Sequence, residues 1–206
     1  MKRNLLLLAA ILLAGTGHVV ADPISKADRD KAVKELNRTR KMLEDATKGL
    51  SAAQWSFKSA PDRWSVAECL EHLTLAEDML RGLVTDRVLK TPAQPEKKNA
   101  EKQAQADAQV LKMIPDRTNR AQAPEALRPS NKWADTKALL AEFEARRKKT
   151  IEFVKSSQED LRAHFMDSPV IKDLDGVQWI LFLSAHTERH TKQILEVKAD
   201  PNFPKK

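Results

Sequence analysis

The chain is poor in the residues that staple or punctuate a fold. Of its 206 residues one is cysteine, Cys69, so no internal disulfide can form. It has five glycines and no tyrosine. No phosphate-cradling glycine loop, Ser-His-Asp set or pair of catalytic carboxylates can be found, and no stretch alternates as a strand would. The apolar run Leu5 to Ala14 is too short to span a bilayer as a helix. What is abundant is Ala, Leu, Glu, Lys and Arg, the composition of long helices. The formal charge of +7 is spread rather than clustered. Basic residues interleave with acids, as in Glu142-Phe143-Glu144-Ala145-Arg146-Arg147-Lys148-Lys149, which reads as a solvated helix face and not a nucleic-acid patch.

The start of the chain has its own anatomy. Met1-Lys2-Arg3-Asn4 is basic, Leu5 to Ala14 is apolar, and small residues end at Val19-Val20-Ala21. That is the pattern of a secretory signal peptide over residues 1–21, with cleavage after Ala21. No cysteine follows the cut, so no lipid anchor and no stable membrane attachment are expected in an exported, periplasmic or secreted protein. The remaining residues 22–206 suit one domain with a good-sized core.

Apolar residues at steps of three and four predict four main helices. The first runs from about Lys26 to Gly49, with Ser25 and Asp28 as a capping box and Ala32, Leu36, Leu43, Ala46 and Leu50 as its inward stripe. A loop with Trp55, Phe57 and Pro61 follows. The second helix opens on Ser65-Val66-Ala67-Glu68, again a capping box, and reaches about Lys90. The interval Thr91 to Asn131 is a long connection, with a polar helix over about Glu96 to Met113 and an irregular stretch from Pro115 to Pro129. The third helix spans about Trp133 to Asp160, burying Leu139, Leu140, Phe143, Ile151 and Val154. A short loop with His164 and Pro169 leads to the fourth, from near Asp175 to before Pro201. The fold class is all-α, a four-helix bundle with a long connection between helices two and three.

Two histidines, His186 and His190, lie four apart in the fourth helix, one turn apart on one face and about 6 Å along the axis. They share the stripe Trp179, Leu183, His186, His190, Gln193, Val197, which faces inward. In the second helix Cys69, His72, Ala76, Met79 and Leu83 form a similar stripe. Three inward imidazoles need hydrogen-bond partners or a metal. If the two helices face each other, a three-histidine site with an open position results. Cys69 reads as a small packing residue before a fourth ligand. Glu68 could reach water at the metal, but its capping box is the preferred reading. His164 is read as exposed, Gln193 as a partner of a ligand or of substrate, and Trp64, Trp133 and Trp179 as core packing before a substrate box.

These residues also resemble a known family. Trp64-Ser65-Val66-Ala67-Glu68-Cys69-Leu70-Glu71-His72-Leu73 is similar to the second-helix motif of the DinB-like superfamily. The run from Gln178-Trp179 to His186-Thr187-Glu188-Arg189-His190-Thr191-Lys192-Gln193-Ile194 is similar to its fourth-helix motif. The loop from Pro115-Asp116-Arg117 to Ala123-Pro124-Glu125 resembles one branch of it. The resemblance implies an up-down-down-up course and a divalent metal on His72, His186 and His190. Zinc is the first choice, with nickel, iron or manganese as alternatives. It also implies relatives that are thiol-dependent transferases or isomerases, and others with no assigned activity. The export signal departs from the characterised transferases, whose thiols are scarce outside the cytoplasm.

Two readings follow. One is an exported metal-dependent hydrolase, or a transferase of the thiol S-transferase kind, acting on a small molecule. The other is a non-catalytic metal-binding or stress-related bundle whose ion is structural. The reading names no nucleic-acid partner and allows a homodimer.

Overall fold

The computed structural model describes residues 23–118, 122–133 and 135–205, so the signal-peptide reading of residues 1–21 lies outside the described residues. Four long helices carry the architecture: α1 (Lys26–Thr47), α3 (Val66–Asp86), α5 (Thr136–Ser156) and α6 (Gly176–Lys198). Two shorter ones, α2 (Ala52–Ser56) and α4 (Ala100–Met113), lie in the connections. The expected loop around Trp55 therefore contains a helical turn. Its cause is a capping box, with the Ser51 hydroxyl accepting from the Gln54 N–H and the Gln54 side chain accepting from the Ser51 N–H. Residues 165–175 fold back as a two-residue antiparallel pair, β1 (Phe165–Met166) with β2 (Leu174–Asp175), where no strand was expected.

The helix starts follow local chemistry. Ser65 and Glu68 make the full reciprocal box. Asp175 and Gln178 make another at α6. At α1 only half of the expected box forms. Ser25 Oγ accepts from the Asp28 N–H, while the Asp28 carboxylate accepts from the Ser25 hydroxyl and from Arg162 rather than from the Ser25 N–H. Helix α3 stops at Asp86 and tightens into a 3₁₀ turn over Val88–Lys90, short of the expected continuous helix. Helix α5 stops at Ser156, short of the expected Asp160, where Ser157 leaves the helical conformation, and Leu161 and Arg162 beyond it are buried.

Contacts along the helices fix their directions. Thr39 of α1 meets Ser184 of α6, and Lys198 Nζ donates to the Ala46 carbonyl, so α1 and α6 run parallel. The early part of α3 packs with Ile194 and Val197, whereas Leu80 and Val84 pack with Val177 and Leu181, so α3 opposes α6. Helix α5 runs with α3, since Leu139 and Phe143 join the first group and Ile151 and Val154 the second. The course is up-down-down-up. Helix α4 lies against α6, with Val110 and Ile114 in the core.

The core is two apolar clusters with a polar layer between them. Arg147, which reads as part of a solvated face, is in fact fully buried. Its Nε and Nη2 donate to the two Glu77 oxygens at 2.9 Å each. Nη1 donates to the Leu36 carbonyl at 2.8 Å and Thr39 Oγ1 at 3.0 Å, and Nη2 also donates to Thr187 Oγ1 at 2.7 Å. All five guanidinium N–H groups thus find acceptors, on α1, α3 and α6. The stripe explains the position: Leu139, Phe143, Arg147, Ile151 and Val154 recur at near-helical spacing, and Arg147 occupies the step between the two apolar clusters. The corresponding correction on α3 is Met79, which is 39 % exposed, while Glu77 takes the inward place.

Candidate metal centre

His72 on α3 and His186 and His190 on α6 converge beside this polar layer. His186 Nε2 lies 3.2 Å from His72 Nε2 and 3.2 Å from His190 Nε2. One ligand atom from each of the three residues lies within 4.8 Å of the others, and no carboxylate or thiol joins them among the described residues. Because α3 and α6 are antiparallel, the early turn of one meets the late turns of the other.

The distal nitrogens show which lone pairs face inward. His72 Nδ1 lies 2.8 Å from the Leu127 carbonyl, and His190 Nδ1 lies 2.9 Å from Gln193 Oε1. Both partners are oxygen acceptors, so both Nδ1 atoms carry the proton and both Nε2 atoms present lone pairs. His186 Nε2 can donate to one of them at most, leaving another unmatched. A cation satisfies that arrangement. Nitrogens ~2.1 Å from one ion stand about 3.4 Å apart at a tetrahedral angle and about 3.0 Å apart at a right angle. The observed 3.2 Å on two pairs falls between. The donor set therefore fits a divalent metal.

Charge agrees with neutral rings. Burial lowers the His72 pKa, only partly countered by the bond to Leu127. Burial and then the neighbouring His72 and Arg189 lower that of His186. His190 is lowered by burial, then by His186 and His72. His72 and His190 are buried and His186 is half-buried, with the Phe182 ring stacked 6.5 Å from its own.

The groups behind the ligands come from α3, α6 and the long connection. Glu71, buried beside His72, accepts from the backbone N–H groups of Ser130 (2.8 Å), Asn131 (3.1 Å) and Lys132 (3.2 Å). It thereby holds the loop that supplies the Leu127 carbonyl to His72. Asn131 sits in the left-handed region at φ 58° within this turn. Arg117 reaches the other ligand. Its Nε and Nη2 donate to Glu196 at 2.6 and 2.7 Å, and its Nη1 to Gln193 Oε1 at 3.2 Å.

The remaining candidates sort cleanly. Glu68 is turned to the helix start, accepting from the Ser65 N–H at 2.7 Å and from Lys58 at 3.0 Å. Cys69 is buried, burial pushes its thiol pKa up, and it does not join the histidines. His164 is half-buried rather than exposed, with Nδ1 2.7 Å from the Thr91 carbonyl, and stands apart from the cluster. Trp133 and Trp179 pack against the core. Trp64 does more than pack, since its ring lies 4.9 Å from His72 and 5.9 Å from His190. Glu71 and Arg117 stand in the quoted motifs without a role, and Leu127 stands outside them. A glutamate directly before His72 inside an apolar helix was the one available signal. A shallow depression lined by Pro115, Arg117, Lys192 and Leu195 lies outside the histidines and is not the chemical centre.

A sequence profile of the DinB superfamily matches residues 35–194. Protein YuaE of Bacillus subtilis (strain 168) is 25 % identical over 163 residues, covering 79 % of this chain and 94 % of its own. A solved structure of YfiT from Bacillus subtilis, described as a probable metal-dependent hydrolase with an unusual four-helix bundle topology, superposes with a TM-score of 0.51 at 15 % identity. It covers 85 % of this chain and 88 % of its own, a likeness of fold.

Proposed function

The chain belongs to the DinB superfamily, and from that premise we propose that it is an exported divalent-metal enzyme, a hydrolase or transferase acting on a small molecule at His72, His186 and His190. The observation that carries the reading is the convergence of three imidazole Nε2 atoms from two facing helices. The description of YfiT as a probable metal-dependent hydrolase supports the same direction. Zinc is the first choice of ion for an all-imidazole set with an open position.

A divalent cation on three neutral imidazoles keeps its full charge and supplies Lewis-acid activation of water or of a thiol. The protein's own residues do the rest. The Leu127 carbonyl and Gln193 Oε1 hold the Nδ1 protons, and so keep two Nε2 lone pairs aimed at the centre. Trp64 lies against the rings of His72 and His190, and Phe182 against that of His186, so aromatic side chains hold all three ligands in place. Among the described residues no carboxylate joins the three histidines.

A rival reading makes the ion structural, and the bridge from α3 to α6 favours it. Metal analysis of protein purified without a His-tag, followed by a screen of esters and thiols against wild type and His186→Ala, separates the two. Turnover lost in His186→Ala and on chelation supports the enzyme. Stoichiometric metal without turnover across both substrate classes supports the structural ion. A folded protein that loads no metal overturns both. For export, mass spectrometry of protein from the native host should find a chain starting at or near Asp22. Full-length chain confined to the cytoplasm would reverse that part and revive an intracellular thiol transferase.

A further inference from the structure

Gln193 Oε1 accepts from two sides. His190 Nδ1 lies 2.9 Å from it and Arg117 Nη1 lies 3.2 Å from it. Arg117 is held by a two-pronged pair with Glu196, at 2.6 and 2.7 Å, and Glu196 stands one turn beyond Gln193 on α6. Arg117 itself comes from the residues that follow α4, in the connection between bundle helices.

We infer that Arg117 is a positioning residue that sets the proton tautomer of His190 through Gln193, an inference that rests on the metal-centre reading. The logic is one of donors and acceptors. A guanidinium only donates, so it selects the oxygen end of the Gln193 amide and rejects the NH₂ end. An amide oxygen only accepts, so the proton of His190 stays on Nδ1. With Nδ1 protonated, the neutral ring presents its lone pair at Nε2, towards His186 and His72. Without Arg117, the amide of Gln193 can turn over. Its NH₂ would then donate to Nδ1 and move the proton to Nε2, the one place where it opposes a cation.

This gives Arg117 and its anchor Glu196 a role that packing does not explain. His72 needs no such device, because its partner is a backbone carbonyl, which cannot flip. His190 has a side-chain amide, which can. The long connection therefore serves both ligands: Leu127 holds one directly and Arg117 holds the other through Gln193.

The test is zinc affinity, measured by competition with a chromophoric chelator, together with nitrogen-15 NMR of the His190 ring in metal-free protein. Gln193→Leu, which has no acceptor, should weaken zinc binding ~10–100-fold, and Gln193→Glu, which accepts from both donors, should stay within about threefold of wild type. Arg117→Ala should weaken binding about tenfold in the wild-type background but less than about twofold in Gln193→Leu, because the two act in series. The His190 ring should shift from Nδ1–H towards Nε2–H in Arg117→Ala, a change that a merely loosened loop does not cause. Melting temperatures control for folding in each variant. Wild-type affinity in Gln193→Leu, or equal losses from Arg117→Ala in both backgrounds, or an unchanged tautomer, overturns the inference while leaving the metal centre standing. Folded wild-type protein that binds no zinc overturns the metal centre instead.

Discussion

The buried pair of Arg147 and Glu77 offers the sharpest test of how this bundle is held. Both residues are inaccessible, with side-chain exposures of 0 and 1 %. The guanidinium gives two bonds to Glu77 and three to Leu36, Thr39 and Thr187. Glu77→Ala removes the carboxylate bonded to the guanidinium and leaves a cation in a medium that solvates it poorly. Breaking a buried pair in this way costs about 3–5 kcal/mol. Arg147→Met should cost a similar amount, since it strands the carboxylate. The double variant Glu77→Leu/Arg147→Met behaves differently, because both charges leave together. Thr39 and Thr187 retain bonds to carbonyls of their own helices, so few groups are orphaned. Replacing such a pair by apolar residues is often neutral or stabilising by about 1–4 kcal/mol. The coupling between the two sites should therefore amount to several kcal/mol. Urea denaturation measures it: with a slope of about 2 kcal/mol/M, a loss of about 4 kcal/mol lowers the midpoint by about 2 M. The reasoning is refuted if Glu77→Ala shifts the midpoint by less than about 0.5 M, or if the double variant loses the sum of the single losses.

Three further expectations follow from the geometry. Asp28, Asp107 and Asp175 surround Arg162 and Lys31, one negative charge in excess, and burial raises the pKa of the deepest of them, Asp175, to about 6 despite Arg162. A folded pKa above the unfolded one gives stability that is full below about pH 3.8 and is lost as pH rises through about 6. Asp175→Asn keeps a good helix cap and should flatten this dependence by on the order of 1–3 kcal/mol between pH 5 and 8; parallel pH profiles of the two proteins would dismiss the shift. Glu71→Ala should release the loop at residues 130–132, seen as faster amide exchange there, and weaken zinc binding about tenfold; unchanged exchange would show that the carboxylate does not hold the loop. Gly176→Ala would place a Cβ 2.8 Å from the Leu161 carbonyl, which also accepts the Gly176 N–H, so α6 must shift at its start. A loss of about 1–3 kcal/mol is expected, and a variant melting with the wild type would mean the helix start yields freely.

What the sequence determined by itself was whatever depends on near neighbours along the chain. Periodic apolar steps located the four long helices to within a few residues. Ser65 with Glu68 marked the start of α3 because a capping box closes within one turn. His186 and His190 were legible as a pair because their spacing alone places them on one face, and His72 because its stripe faces the core. The helix-motif resemblance supplied the course of the bundle. Tertiary structure decided the rest. Arg147 reads as solvent-facing among its basic neighbours, yet its acceptors lie up to 111 residues away and exist only once four helices have packed. The same holds for Arg117, whose role depends on a loop meeting α6, and for Trp64, which leads into the helix of His72 but meets His190 only where α6 packs beside it. A helix face follows from local geometry, but whether a charge on that face meets water or a partner is settled only by what the rest of the chain places opposite it.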